Sequence, residues 1–305
     1  PISIGIACIF YSTRALNKND INSIIESFAN AEYSWVILGV VLGALSHLSR
    51  SYRWKYLLEP LGYKISFLNS VMAIFSAYLI NYTFPRAGDI ARGTIAYKYE
   101  EIPLEKGIGT IVAERAVDVL CISVLIVIGL FINYELITKK LYEARSSINL
   151  EFIMFSFIIL GGILFLLLRK NNKSFPIISK VQTFFKGLYE GFMIIFKLKN
   201  KWLFILHSIF IWLMYILMFY VTTKAVTELP DLSFPTILIS FILASLTIMF
   251  TPGGIGAYPL AVQISFSWFG ISSVSSLSFG WIMWTSQTLM IIIFGGLSLI
   301  MLPFI

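Results

Sequence analysis

Long apolar runs separated by short polar connections set the pattern of this chain, with windows near residues 1–12, 34–58, 67–84, 107–133, 150–168, 201–225, 233–250, 257–270 and 274–303. Runs of this kind predict helices on the scale of a bilayer's hydrocarbon core, which takes about 20 residues to cross. Two stretches break the pattern. Asn81-Tyr-Thr-Phe-Pro85-Arg86-Ala-Gly88-Asp89-Ile-Ala-Arg92 interrupts the first half, and Thr251-Pro252-Gly253-Gly254-Ile-Gly256-Ala-Tyr258 the second. Unwound backbone at membrane depth survives only where protein or a polar cavity satisfies its N–H and C=O groups, so paired breaks point to a substrate site.

The polar connections carry unequal charge. Arg50, Arg53, Lys55 and Lys64 against Glu59 give +3 over residues 50–66, and eight cations against Glu190 give +7 over residues 169–201. Residues 13–33 and 224–232 each sum to −1. Basic connections belong in the cytoplasm. Three crossings between them would put the two on opposite faces, so one window turns back. The window 67–84 is short and runs straight into Pro85, Gly88 and charge; the stretch 233–270 reads the same way from the other side.

The expected fold is therefore an all-α polytopic membrane protein of about six transmembrane helices plus two re-entrant helical hairpins, with both termini cytoplasmic. It forms a single membrane domain, 1–305, built as an inverted-topology repeat. Residues 1–133 make the first repeat. Residues 134–200 hold the next span, 150–168, and a basic connector, 169–200; residues 201–305 complete the second repeat. Trp35 and Trp202, and Pro85 and Pro252, share an offset of 167 residues. A plain eight- or nine-span bundle is the alternative.

Composition narrows the class. With 58% hydrophobic and 13% charged residues over 305 positions and a mean hydropathy of +0.83, a soluble fold is excluded. The net charge of +7 is concentrated in one connection, which suits anionic lipid head groups and not nucleic acid. There Ile177, Val181, Phe184, Leu188, Phe192 and Ile195 share a helical stripe, as in a helix lying on the membrane surface. Cys8 and Cys121 lie far apart in apolar runs, and no metal or cofactor set is expected. Residues 1–10 read as the remnant of a first span.

Candidate chemistry sits at the breaks. Arg86, Asp89 and Arg92 occupy the first, and Glu114, Arg115 and Asp118 enter the following span. Charges in hydrocarbon face a cavity, a partner or a substrate. Glu114 and Asp118 are i, i+4 neighbours able to meet Arg86 or Arg92. Either the set is a closed ion-pair network, or one arginine is left to grip an anion such as a lipid phosphate. Gly253, Gly254 and Gly256 offer a tight turn with accessible backbone N–H groups. Arg50, Arg53 and Lys55 with Trp54 read as an interfacial anchor. His47 and His207 read as packed or hydrogen-bonded histidines. No P-loop, nucleophile elbow or H-E-x-x-H motif occurs, so a transporter is expected before an enzyme.

The ordered series Arg53-Trp54, Leu57-Leu58, Gly62, Asn81, Pro85-Arg86-Ala-Gly88-Asp89, Arg92, Gly109-Thr110, Glu114-Arg115-x-x-Asp118 and Pro252-Gly-Gly-Ile-Gly256 resembles the lysylphosphatidylglycerol synthase transmembrane-domain family over nearly the whole chain. The resemblance implies translocation of a polar-headed phospholipid or lipid-linked intermediate between leaflets of the cell membrane. Asn81, Arg86, Asp89, Arg92, Glu114, Arg115, Asp118, Gly253, Gly254 and Gly256 would form its site. Members often carry an acidic residue after the last glycine motif, where this chain has Ala257-Tyr258-Pro259. With no soluble transferase domain after Ile305, lipid aminoacylation is not expected from this polypeptide. The rivals are a scaffold docking a separate transferase through residues 169–201, or a membrane transferase using Asp89 or Glu114 as base.

Overall fold

Every regular element among the described residues is helical. The computed structural model describes residues 2–14, 16–84, 87–145, 198–229, 231–249 and 251–304. The helices are α1 (Ile2–Thr13), α2 (Lys18–Ala29), α3 (Tyr33–Leu58), α4 (Phe67–Thr83), α5 (Ala87–Glu100), α6 (Leu104–Ile132), α7 (Tyr134–Arg145), α8 (Lys201–Thr223), α9 (Phe234–Thr247), α10 (Ala257–Ser267) and α11 (Ser273–Met301). The expected span 150–168, the amphipathic connector and the Pro85-Arg86 step lie outside the described residues.

Helix starts follow local chemistry. Ser66, Ser233 and Ser272 cap α4, α9 and α11, each side chain accepting from the backbone N–H three residues on. Among the described residues three helices, α6, α8 and the one opened by Ser273, are long and apolar enough to cross a membrane, or four if α2 and α3, bent by 73°, count as one span. The expected windows 34–58, 107–133, 201–225 and 274–303 thus coincide with α3, α6, α8 and α11. α1, with 12 residues, is a shorter apolar helix. The connection 13–33 holds a helix that charge counting treated as loop: Asn17 and Asp20 form a capping box, and α2 packs against α11.

Outward faces are apolar, as lipid requires. Leu120, Val124, Val127 and Phe131 on α6, and Leu289, Ile293 and Ile300 on α11, are exposed. Inside, the halves differ. Phe219, Phe241, Phe266 and Phe279 knit α8 to α11, with Phe219 and Phe279 ring centroids 4.9 Å apart. The smaller first-half core around Trp54, Leu58, Ala73 and Ile111 shares its interior with charge.

Across each break the flanking helices pack together. α4 packs on α5, and α9 on α10. At the first turn Asn81 Oδ1 accepts from the Gly88 N–H at 2.8 Å, and Gly88 lies so close to α4 that a Cβ there would overlap the Ala77 carbonyl oxygen. Backbone cannot swing aside as a flexible side chain does. Gly88→Ala should lower stability by about 1–3 kcal/mol, read as a fall in the thermal unfolding midpoint in detergent, while Gly109→Ala, facing open space, should leave it unchanged.

Candidate functional site

Three helices bring their charges to one place. Arg50 and Arg53 stand one turn apart on α3, Arg92 on α5, and Glu114 and Asp118 one turn apart on α6; Arg50, Arg53, Arg92 and Glu114 are at most 3% exposed. Glu114 is the hub. Its Oε1 accepts from Arg50 Nη1 at 2.9 Å and Arg92 Nη1 at 3.2 Å, and its Oε2 from Arg92 Nη2 at 2.9 Å. Arg53 Nη2 stands 3.3 Å from Glu114 Oε1 and donates to Asp118 Oδ1 at 3.1 Å. Arg50 also pairs with Asp118.

Aromatic and hydroxyl groups complete the arginine environment. The Arg92 guanidinium lies 3.9 Å over the Trp54 ring, and Trp54 is itself fixed by Nε1 donating to Thr110 Oγ1 at 2.9 Å. Arg53 Nη1 donates to Ser208 Oγ on α8 at 2.8 Å. The more open edge is formed by Arg115, whose Nη2 donates to Asp89 Oδ1 at 2.8 Å with both side chains about one third exposed.

Four guanidinium groups thus face three carboxylates, an excess of one positive charge among the described residues. Beside them lies a cavity of about 10 Å³ lined by Arg50, Tyr78, Asn81, Arg92 and Arg115, room for a single water. The Nε groups of Arg50, Arg53 and Arg92 are buried without a partner among the described residues. Arginine Nε only donates, so the centre is short of acceptors. Among the described residues, no three His, Cys, Asp or Glu side chains are grouped to hold a metal ion.

The expected pairing of Glu114 with Arg92 is present, whereas Asp118 meets Arg50 and Arg53, and Asp89 meets Arg115. Arg86 lies outside the described residues. Asn81 both caps the turn and lines the cavity. The interfacial-anchor reading of Arg50, Arg53 and Trp54 is overturned: Arg53 and Trp54 are fully buried and Arg50 is 3% exposed. Only Lys55 fits it, with Nζ 3.6 Å over the Tyr52 ring. The signal was available, because Arg50 and Arg53 fall inside the apolar window 34–58, where an arginine is intramembrane by default.

The glycine turn touches the first break. Gly253, Gly254 and Gly256 all have positive φ, 57°, 80° and 67°. Gly253 packs face-on against the Tyr82 ring, and its carbonyl accepts from Trp284 Nε1 at 2.8 Å. His207 is hydrogen-bonded, its Nδ1 2.8 Å from Ser49 Oγ.

The family described as Lysylphosphatidylglycerol synthase TM region matches residues 1–295. The chain is also similar to UPF0104 membrane protein MJ1595 of Methanocaldococcus jannaschii, 25% identical over 280 residues covering 82% of this chain and 80% of the relative.

Proposed function

The chain belongs to the lysylphosphatidylglycerol synthase transmembrane-region family and is an integral membrane protein, and on that premise we propose that it moves a polar-headed phospholipid or lipid-linked intermediate between leaflets. The observation that carries the reading is the surplus arginine charge around the cavity of Arg50, Arg92 and Arg115. A buried centre with more guanidinium than carboxylate, and with unmet donors, suits a phosphate. Acyl chains would stay in the bilayer along the apolar outer faces. No ATP-hydrolysing motif is present, so the protein equilibrates lipid or draws on a gradient or partner.

The six-span, two-hairpin inverted repeat is part of this proposal. Tyr33 and Lys201, Phe67 and Phe234, Ala87 and Ala257, and Leu104 and Ser273 open helices about 170 residues apart. Contacts follow the same exchange. α3 packs on α8; α4 on α11 as α9 on α6; α5 on α6 as α10 on α11. A pseudo-twofold of this kind gives alternating access by moving one helix set against the other, with Asn81, Asp89, Arg92, Glu114, Arg115 and Asp118 on one wall and Gly253, Gly254 and Gly256 on the opposite one. The site is in the cell membrane, with both termini in the cytoplasm.

A second reading, a closed ion-pair network that only pins α5 and α6 to α3, is favoured by the one-water size of the cavity. Leaflet exchange of labelled anionic and zwitterionic phospholipids in liposomes carrying the purified protein separates the two. Arg115→Gln removes the most exposed arginine of the cluster, and its thermal unfolding midpoint shows that the variant is folded. Transport predicts exchange by wild type and a fall of roughly tenfold in the variant. Exchange equal in the two proteins would leave the network a structural pin.

A further inference from the structure

Counterpart positions in the two helix sets differ in charge. The offset of about 170 residues that relates α3 to α8 and α6 to α11 puts Tyr215 opposite His47 and Gln287 opposite Asp118. His47 and Tyr215 are in ring contact, centroids 6.0 Å apart. A residue that touches its own counterpart lies on the axis relating the halves, so this pair marks the middle of the repeat.

A polar file runs through that point. Gly43, His47 and Arg50 stand at i, i+4 and i+7 on one face of α3, a rise of about 10 Å. Arg50 belongs to the charged cluster. His47, 7% exposed, packs against Tyr78 at 4.8 Å and Phe75 at 5.4 Å, and Tyr78 also lines the arginine cavity. The Gln287 carboxamide oxygen lies directly over Gly43, where a Cβ would come within 2.7 Å of it. Beside Gln287, Thr288 Oγ1 is 3.3 Å from the Tyr82 hydroxyl, and Tyr82 covers Gly253. The file therefore leads from the arginines to Gln287 on α11.

Its nitrogens are unmet. Arg50 Nε, His47 Nδ1 and Gln287 Nε2 are all buried without a partner among the described residues. Guanidinium and carboxamide nitrogens only donate, and apolar side chains of the same shape would fill this space without an unmet donor. Donors lacking acceptors suit a ligand rich in acceptor oxygens. We propose that His47, Tyr215 and Gln287 form a second, uncharged station for the phosphodiester of a phospholipid head group, midway across the membrane and reached from the arginine cluster past Tyr78. This rests on the translocation reading. Neutral donors hold the phosphate more weakly than arginines do, and passage needs successive sites weak enough to leave.

The test uses the full chain in phosphatidylcholine–phosphatidylglycerol liposomes, with exchange of labelled phosphatidylglycerol and thermal unfolding measured on the same preparations. His47→Phe keeps a ring among Phe75, Tyr78 and Tyr215 while removing the imidazole nitrogens, and Gln287→Leu keeps volume while removing the carboxamide donor. The station predicts unfolding midpoints equal to or above wild type, with exchange down at least roughly tenfold in both. Exchange at the wild-type rate in both overturns the station and leaves the translocation reading standing. Loss of exchange that tracks loss of the folded state in both variants also overturns it, because the residues are then structural. A wild type that exchanges no lipid while folded overturns the translocation reading and the station together.

Discussion

Glu114→Gln is expected to destabilise the protein by about 3–5 kcal/mol. One carboxylate, fully buried, receives Arg50, Arg53 and Arg92. Removing its charge while keeping its shape leaves Arg50 and Arg53 with Asp118 and Arg92 with no carboxylate among the described residues, in a medium where an uncompensated charge is costly. The penalty lies in what remains, so removing a cation as well should return part of it. Glu114→Gln with Arg92→Met is expected to be more stable than Glu114→Gln alone. Asp118→Asn should cost less than Glu114→Gln, because the Asp118 side chain is 12% exposed and water can approach the orphaned partners. Unfolding in detergent titrated with denaturant reads all three. A Glu114→Gln protein as stable as wild type would mean that the cluster does not hold α3, α5 and α6 together.

Gly253→Ala carries the other large effect. At φ 57° an L side chain meets its own backbone, at about 1–2 kcal/mol, and the added carbon would overlap the Tyr82 ring, at about 1–3 kcal/mol more. The two causes are separable. Tyr82→Ala in the Gly253→Ala background should relieve the overlap and leave the backbone strain, whereas Tyr82→Ala alone should lose ring packing and the contact to Thr288. Stability measured across this double-mutant cycle should show a favourable coupling of more than about 1 kcal/mol. Strict additivity would mean that the turn and Tyr82 do not press on each other.

The membrane class, the helix positions and the first charged pairing were legible because each rests on a strong local signal. Hydropathy at bilayer length marks α6, α8 and α11, and the i, i+4 carboxylates at Glu114 and Asp118 announce an intramembrane partner. What failed was the assignment of cations to places. Arg50 and Arg53 were read with Lys55 and Trp54 as a basic interfacial cluster, yet α3 turns those two arginines inward and only Lys55 outward. Charge counting sees the sum and not the face. α2 was hidden for a related reason, since its polar composition marks a connection while its Asn17–Asp20 capping box is a short-range signal inside it. The meeting of Tyr82 with Gly253 joins residues about 170 apart, and nothing local to either announces the other.

The order of synthesis follows from which helices face which. Among the described residues, every charged partner of Glu114 and Asp118 lies at or before residue 118, so the groups least tolerable in lipid pair within the first half, with one cation in excess. The flank of α4 has to wait. It packs on α11, where Gly295 lies against the Phe75 carbonyl, and the ribosome needs on the order of 10–40 s to add the intervening residues. Through that interval the nascent chain presents a charge cluster with one cation in excess and, at Phe67–Thr83, a helix flank that α11 has not yet covered.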